Sequence, residues 1–339
     1  MNRVLLSEWP TPLLPAGRLG AAIGVPQLLI KHDDRSGTVY GGNKVRKLEY
    51  LLADARAQGC DAVMTYGAAG SNHALATAIY ARQLGLHCYC VLVDQADTPW
   101  IANTLRWHAH IGTTVAAAAE FAGVRAAAAA LRDAHPTGAD RIYDIAWGGS
   151  SPTGSLGFVG AGAELARQMK SVAPGRPVRI YIPCGTMGST AGLMVGLANT
   201  RLTATVVGVK VVPQNSVTAA AVLQAAEAVQ ALLPATQRVP ETEIAARLEF
   251  RGEFAGEGYA VPTEASLQAV SLAGSLENCR LDTTYAGKAF ACLIDDARND
   301  RLSGALPVFW HTWNTRPYPD NLQAVDTTRL PAAFQKYFH

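Results

Sequence analysis

Apolar residues along the chain follow two alternating spacings. PQLLIKHDD (26–34), DAVMTYG (61–67) and HCYCVLV (87–93) are short apolar runs bounded by charge or glycine, and they read as strands. KVRKLEYLLADARAQG (44–59) sets Val45, Leu48, Leu51, Leu52 and Ala55 on one helical face and closes at Gly59. SNHALATAIYARQLG (71–85) reads as a second helix. A third is expected near 98–110, followed by the strand GTTV and an alanine-rich helix over 116–131. After Gly148-Gly149 the order resumes with helix FVGAGAELARQM (158–169), strand VRIYIPC (178–184), helix STAGLMVGLANT (189–200) and strand TATVVGVKVV (203–212). A helical region spans 215–235, and a further alternating block ends in the strand PVFWHTW (307–313). Strand and helix in turn, with short connections, predict an α/β fold of parallel, helix-covered sheets. The expected arrangement is two α/β units sharing one cleft, with the chain crossing between them near 45 and again near 155.

Composition narrows this. At 339 residues the chain is longer than one hydrophobic core usually supports, so one large or two medium domains are expected. Hydrophobic residues make up 49% and charged residues 17%, which excludes disordered and fibrous classes. A net charge of +2 provides no polycationic field, so nucleic acid and acidic membranes are not expected partners. The start, MNRVLLSEWPTPLLP, has no continuous apolar stretch, and no uncharged apolar run approaches the length of a membrane span. Six scattered cysteines without paired ligand spacing predict free thiols in a reducing cytoplasm and no metal site.

Three glycine-bearing turns carry the candidate chemistry. In YGGNKVRKLEY (40–50), two glycines and Asn43 precede Lys44 at the start of a helix. The positive end of the helix dipole and partial burial both disfavour an ammonium there, although a solvated lysine beside a turn has the same local pattern. The loop Gly185-Thr186-Met187-Gly188-Ser189-Thr190 feeds a helix and offers backbone N–H groups and hydroxyls to an anion such as phosphate. TYGAAGSNH (65–73) turns from strand to helix with Ser71 as an N-cap, and presents Ser71, Asn72 and His73 to a carboxylate. An aldehyde for the lysine, a phosphate for one helix end and a carboxylated substrate beside them together describe pyridoxal 5′-phosphate with an amino acid.

The sequence resembles the 1-aminocyclopropane-1-carboxylate deaminase and D-cysteine desulfhydrase group, within the tryptophan-synthase-β-like (fold type II) pyridoxal phosphate enzymes. The likeness runs in order over nearly the whole chain. It includes Pro10-Thr-Pro-Leu13, Lys31-His-Asp-Asp34, GGNKVRKLEYLLADA, GAAGSNH, GGSSPTGSLGFVGAGAEL, GTMGSTAGL, FAGEGYAVPTEASLQAV and LDTTYAGKAF. The resemblance implies two open, twisted, parallel-rich sheets, with the cofactor in the cleft between a large domain (1–46 plus 158–339) and a small one (47–157). It implies that Lys44 bears the cofactor and that Asn72 contacts its phenolic oxygen. Thr186, Met187, Gly188, Ser189 and Thr190 would hold the phosphate, and Tyr285 and Thr312 would lie beside the ring. Ser71, Asn72, His73, Tyr259 and Trp313 would meet the substrate, with Lys44, Ser71, Tyr259 and Tyr285 catalytic. Lys47 matches a second family lysine near the cofactor, although its spacing fits a surface charge equally. A cytoplasmic homodimer is expected.

Two departures bear on the reaction. The deaminase proper has glutamate directly after the second tyrosine, where this chain has Ala286, so opening of a cyclopropane ring is not expected. The family's HTGG-like stretch is His311-Thr312-Trp313-Asn314 here, which places a tryptophan beside the substrate pocket. The expected reaction is α-proton loss and β-elimination from a small amino acid, yielding a keto acid and ammonia. The alternatives are replacement, racemisation or cyclisation with the same cofactor, and a non-catalytic protein that binds small anions.

Overall fold

The computed structural model describes residues 2–338. The strands are β1 (Leu13–Pro15), β2 (Leu29–His32), β3 (Ala62–Ala68), β4 (His87–Val93), β5 (Thr114–Ala118), β6 (Ile142–Ile145), β7 (Val178–Cys184), β8 (Ala204–Lys210), β9 (Leu248–Arg251) and β10 (Leu306–His311). Six of them form one sheet in the order β1-β2-β10-β7-β8-β9, parallel except for β1, which runs antiparallel at the edge. The other four form an all-parallel sheet, β5-β4-β3-β6. The helices are α1 (Gly17–Ala22), α2 (Lys44–Ala57), α3 (Asn72–Gln83), α4 (Ile101–His110), α5 (Val124–Asp133), α6 (Pro152–Val172), α7 (Gly188–Ala198), α8 (Ala219–Ala231), α9 (Glu241–Ala245), α10 (Glu264–Glu277) and α11 (Ala286–Arg298).

β7 is buried along its full length. A parallel strand covered on both faces needs an unbroken apolar run, and VRIYIPC supplies one in which the Arg179 guanidinium is bonded to Glu249 and Asp296. α7 is buried at every residue and lies tight against α6. A Cβ on Gly192 would stand 2.2 Å from the Ser155 carbonyl oxygen, and one on Gly196 would stand 2.3 Å from that of Val159. Only glycine allows the two backbones this approach, and that approach fixes where the N-terminus of α7 points.

The structure departs from the periodicity in three places. Ala116–Ala118 belong to β5, paired with β4, and the following helix is confined to Val124–Asp133. Alanine has no preference strong enough to resist a strand partner, so tertiary pairing decides. α6 starts at Pro152 rather than 158, because Ser151 caps it by accepting from the Gly154 N–H at 3.2 Å, with proline in the first turn. The short strands β1, β6 and β9, each at a sheet edge, add to the elements expected from the pattern.

One apolar core lies about the larger sheet and a second about α2, α3 and β4. The C-terminal segment returns to the second core, where Leu322, Leu330 and Phe334 pack in the cluster that holds Leu75, Ile79 and Leu105. Among the described residues, no helix is long and apolar enough to cross a membrane.

Candidate active site

The N-terminal ends of α2, α3 and α7 meet at one cavity of about 540 Å³, walled by residues of both sheets and their connections. Lys44, Ser71, Asn72, His73, Thr186, Met187, Ser189, Tyr259, Tyr285, Thr312 and Trp313, far apart in the chain, all line it. Two expected residues do not: Gly188 and Thr190 sit behind this wall, Thr190 fully buried.

Lys44 is presented by a turn that the ends of β2 and β10 hold in place. The Gly42 N–H donates to the Asp33 carbonyl at 2.8 Å, the Asn43 N–H to the Thr312 carbonyl at 3.0 Å, and the Gly41 N–H to Asn314 Oδ1 at 2.6 Å. A side chain at Gly41 would fall 2.0 Å from the Asp34 carbonyl oxygen, and Gly42 has φ 97°, so both glycines are required by the geometry. The Lys44 amine lies 3.4 Å from the Gly148 carbonyl oxygen, and burial lowers its pKa to about 8. The dipole of α2 acts in the same direction. The amine form is therefore accessible near neutral pH, as nucleophilic chemistry at this nitrogen requires.

Lys47 is not a surface charge. It is fully buried, and its Nζ donates to the Gly148 carbonyl at 3.1 Å and to Ser150 Oγ at 2.8 Å. Burial, and then the neighbouring Lys44 charge, push its pKa well down. Its Nζ lies 3.0 Å from where a Cβ on Gly188 would be, directly behind the first residue of α7. The Ser150 hydroxyl also meets Thr186 Oγ1 at 2.7 Å, while Asn43 Nδ2 donates to Ser189 Oγ at 3.1 Å. The Thr190 hydroxyl is buried with no hydrogen-bond partner. A helix N-terminus, four hydroxyls and a buried amine that faces no carboxylate among the described residues form a cradle that fits a phosphate.

On the other side, Ser71 caps α3 by accepting from the Ala74 N–H at 3.2 Å. Asn72 Oδ1 accepts from the Tyr40 hydroxyl at 2.5 Å, which leaves its amide hydrogens to donate. His73 meets Thr65 Oγ1 through Nε2 at 2.9 Å, and burial, together with the charges of Lys44 and Lys47, keeps it neutral. Tyr259 and Tyr285 share a hydroxyl contact of 2.6 Å. Burial raises Tyr259 to about 12, and burial with the Tyr259 neighbour raises Tyr285 well above the usual phenol range, so both stay protonated. Asp282 fixes Tyr285 by accepting from the backbone N–H groups of Thr284, Tyr285 and Ala286 at 2.9, 2.7 and 2.9 Å.

Several lining residues have no role legible in the sequence. Asn43, Ser150 and Tyr66 lie within quoted motifs that assign them no part of their own, and Gln95 and Trp147 are single residues just past the ends of β4 and β6. Among the described residues, Lys44 and Asp94 are the only charged side chains on the wall if His73 is neutral, and Asp94 is paired with Lys336 at 2.6 Å. The buried trio His32, Asp34 and His311 brings ligand-type atoms within 4.8 Å of one another away from the cavity, where Asp34 Oδ1 bonds both imidazoles.

A lysine amine beside an anion cradle, with amide and hydroxyl donors across from it, fits pyridoxal phosphate, and residues 4–312 match the family described as pyridoxal-phosphate dependent enzyme. The chain belongs to that family. Within it, it is an enzyme of the 1-aminocyclopropane-1-carboxylate deaminase/D-cysteine desulfhydrase group. It is 35% identical over 318 residues to D-cysteine desulfhydrase of Salmonella newport (strain SL254), covering 91% of this chain and 93% of that one. It is 34% identical over 325 residues to nocardicin C-9′ epimerase of Nocardia uniformis subsp. tsuyamanensis, covering 93% and 94%. The crystal structure of an ACC deaminase homologue superposes with a TM-score of 0.79 at 29% identity, over 96% of each chain.

Proposed function

We propose that this enzyme removes the α-proton and the β-substituent of a small amino acid, in the manner of a D-cysteine desulfhydrase, and releases a keto acid and ammonia. The observation that carries this reading is Lys44: a buried amine with a pKa near 8 that shares one cavity with the Ser71-Asn72-His73 turn and the N-terminus of α7. Lys44 would hold the cofactor, and its Nζ is placed to take the α-proton. Pyridoxal phosphate, when bound, supplies the electron sink for the pair left at Cα. Thr186, Met187, Gly188, Ser189 and Thr190, backed by Lys47 and Ser150, would hold its phosphate. Asn72 would hold its phenolic oxygen through the side-chain amide, and Tyr285 and Thr312 would hold its ring. Ser71, Asn72 and neutral His73 bind the substrate carboxylate by hydrogen bonds, while Tyr259, hydrogen-bonded to Tyr285, hands a proton toward the leaving group. The chain places alanine at 286, where a carboxylate would favour ring opening, and this supports elimination over cyclopropane deamination.

In this reading residues 1–46 and 158–339 form the large, cofactor-binding domain and 47–157 the small one, and the enzyme works as a cytoplasmic homodimer, the commonest symmetric assembly. The purified protein is expected to absorb near ~410–430 nm, as a lysine-bound cofactor does, and Lys44→Ala to lose the band. Keto-acid release is then measured over D-cysteine, L-cysteine, D-serine, 3-chloro-D-alanine, L-cysteate and the cyclopropane amino acid. Reaction of the cyclopropane compound alone would overturn elimination.

The epimerase relative favours a second reading, in which the α-proton returns on the opposite face. Deuterium uptake at Cα from heavy water, with inversion and no keto acid, would establish it in place of elimination.

A further inference from the structure

The cavity extends beyond the three helix ends to an aromatic wall on the smaller sheet. Tyr66 near the end of β3 and Trp147 just after β6 stack with ring centroids 5.9 Å apart and planes 23° from parallel. Phe121 packs on Trp147 at 5.2 Å and is 63% exposed, so the wall continues in an open aromatic face. All three line the same cavity as Lys44. The Tyr66 hydroxyl is committed to Asp144 at 2.8 Å, and Asp144 pairs with Arg132 at 3.0 Å, so the ring is held in place. From the larger sheet's half, Val212 and Val217 contribute apolar surface to the same space. The wall offers no free charge to a charged substituent, since Asp94 is paired and Lys44 bears the cofactor. A bare cysteine or serine would leave these rings against water.

We propose that the preferred substrates are amino acids whose β-substituent is an aromatic thioether: cysteine S-conjugates with a phenyl or benzyl group on sulfur, seated on the Tyr66–Trp147–Phe121 wall. This rests on the elimination reading and names its leaving group. The Cα–H bond breaks with its proton passing to Lys44 Nζ, and the electron pair forms the Cα–Cβ double bond. The Cβ–S bond breaks, and sulfur departs with the bonding pair as a thiolate that takes up a proton. Water then hydrolyses the released 2-aminoacrylate to pyruvate and ammonium. No oxidant or reductant is consumed.

The holoenzyme is tested with S-benzylcysteine and cysteine of each configuration, following pyruvate and thiol release, and S-benzylcysteine binding is followed by quenching of tryptophan fluorescence. Burying and stacking one more ring predicts a kcat/KM for the conjugate roughly 10-fold or more above that of cysteine. Trp147→Ala is expected to shrink that ratio through KM, Trp147→Phe to retain most of it, and the exposed-site variant Phe121→Ala to reduce it in part. Equal or faster turnover of cysteine, or a ratio unmoved in every variant whose visible cofactor band is intact, overturns the proposal. If neither compound releases pyruvate but S-benzylcysteine still quenches fluorescence and exchanges its α-proton, the aromatic subsite stands and elimination falls. If it neither reacts nor quenches, the subsite falls.

Discussion

At the scale of single residues, Lys44 and Asn314 divide the work at the head of α2. Lys44 has its pKa lowered to about 8 by burial, so below that pH the ammonium predominates and cannot attack an aldehyde. Capture of added pyridoxal phosphate by the apoprotein is therefore expected to accelerate with pH up to about 8 and then level off. Stopped-flow absorbance across pH 6 to 10 checks this; an exposed lysine would continue to accelerate toward ~10.4. Asn314 is 2% exposed, and its Oδ1 accepts from the Gly41 and Arg316 N–H groups at 2.6 and 3.1 Å. Of the two unusual residues at the end of β10, Trp313 stands on the cavity wall against Trp100, while Asn314 braces the turn that presents Lys44. Asn314→Ala leaves a buried N–H unpaired and is expected to cost about 1–3 kcal/mol, read as a lower urea midpoint at unchanged slope.

At the scale of elements, a buried ionic cluster joins α2 to α6 and the larger sheet. Arg46 on α2 donates to Asp33 at 2.8 Å through both Nε and Nη2 and to Glu164 on α6 at 2.9 and 3.1 Å, and Lys31 on β2 also pairs with Glu164. Arg46→Met leaves the buried Asp33 without its salt-bridge partner and Glu164 with Lys31 alone, and is expected to destabilise the fold by about 3–5 kcal/mol in denaturant titration. Burial works to raise the Glu164 pKa, yet the charges of Arg46 and Lys31 hold it at about 2. Its contribution is therefore complete above the ordinary carboxylate pKa and is lost as pH falls toward 2; Glu164→Gln should flatten this part of the acid-unfolding profile. A second connection reaches the Ser71-Asn72-His73 turn from the far end of the chain. The Tyr337 hydroxyl lies 2.5 Å from Asp94 Oδ1 and 2.9 Å from the Gln95 carbonyl oxygen, and Gln95 Oε1 accepts from the N–H of Gly70, which precedes Ser71. Tyr337→Phe is expected to raise KM by roughly 2–10-fold with the cofactor band intact, the worth of one hydrogen bond. Elements with a glycine stop and a full apolar face, such as α2 and α3, are legible in the sequence. β1, β6 and β9, with 3, 4 and 4 residues, are too short to show a period, and the alanine run has only identical small side chains, which mark none. Lys44, Ser71 and Ser189 are legible because each follows a glycine turn into a helix. Tyr66, Trp147 and Gln95 are not, because only the folded cleft brings them to the others.

For the whole molecule, the cavity is the junction of two sheets that share no strand pairing. The turn before α3 belongs to the smaller sheet's half, and the N-terminus of α7, Tyr285 and Thr312 belong to the larger one. The groups fitted to the cofactor are thus divided between the halves, with Lys44 where the chain crosses from one to the other. A ligand that contacts both halves only when they are assembled binds the native state and not the unfolded chain, so occupancy must add stability. At free cofactor 100 times its Kd the gain is about 2.7 kcal/mol. Removing pyridoxal phosphate with hydroxylamine and dialysis is expected to lower the melting temperature and, because the bridge between the two cores is lost, to separate their unfolding in calorimetry. Readdition should restore one transition at the higher temperature. In Lys44→Ala the cradle is intact but the proposed covalent hold is gone, so the same addition should recover only part of the shift. Full recovery in that variant would mean that the phosphate cradle, and not the lysine, holds the halves together.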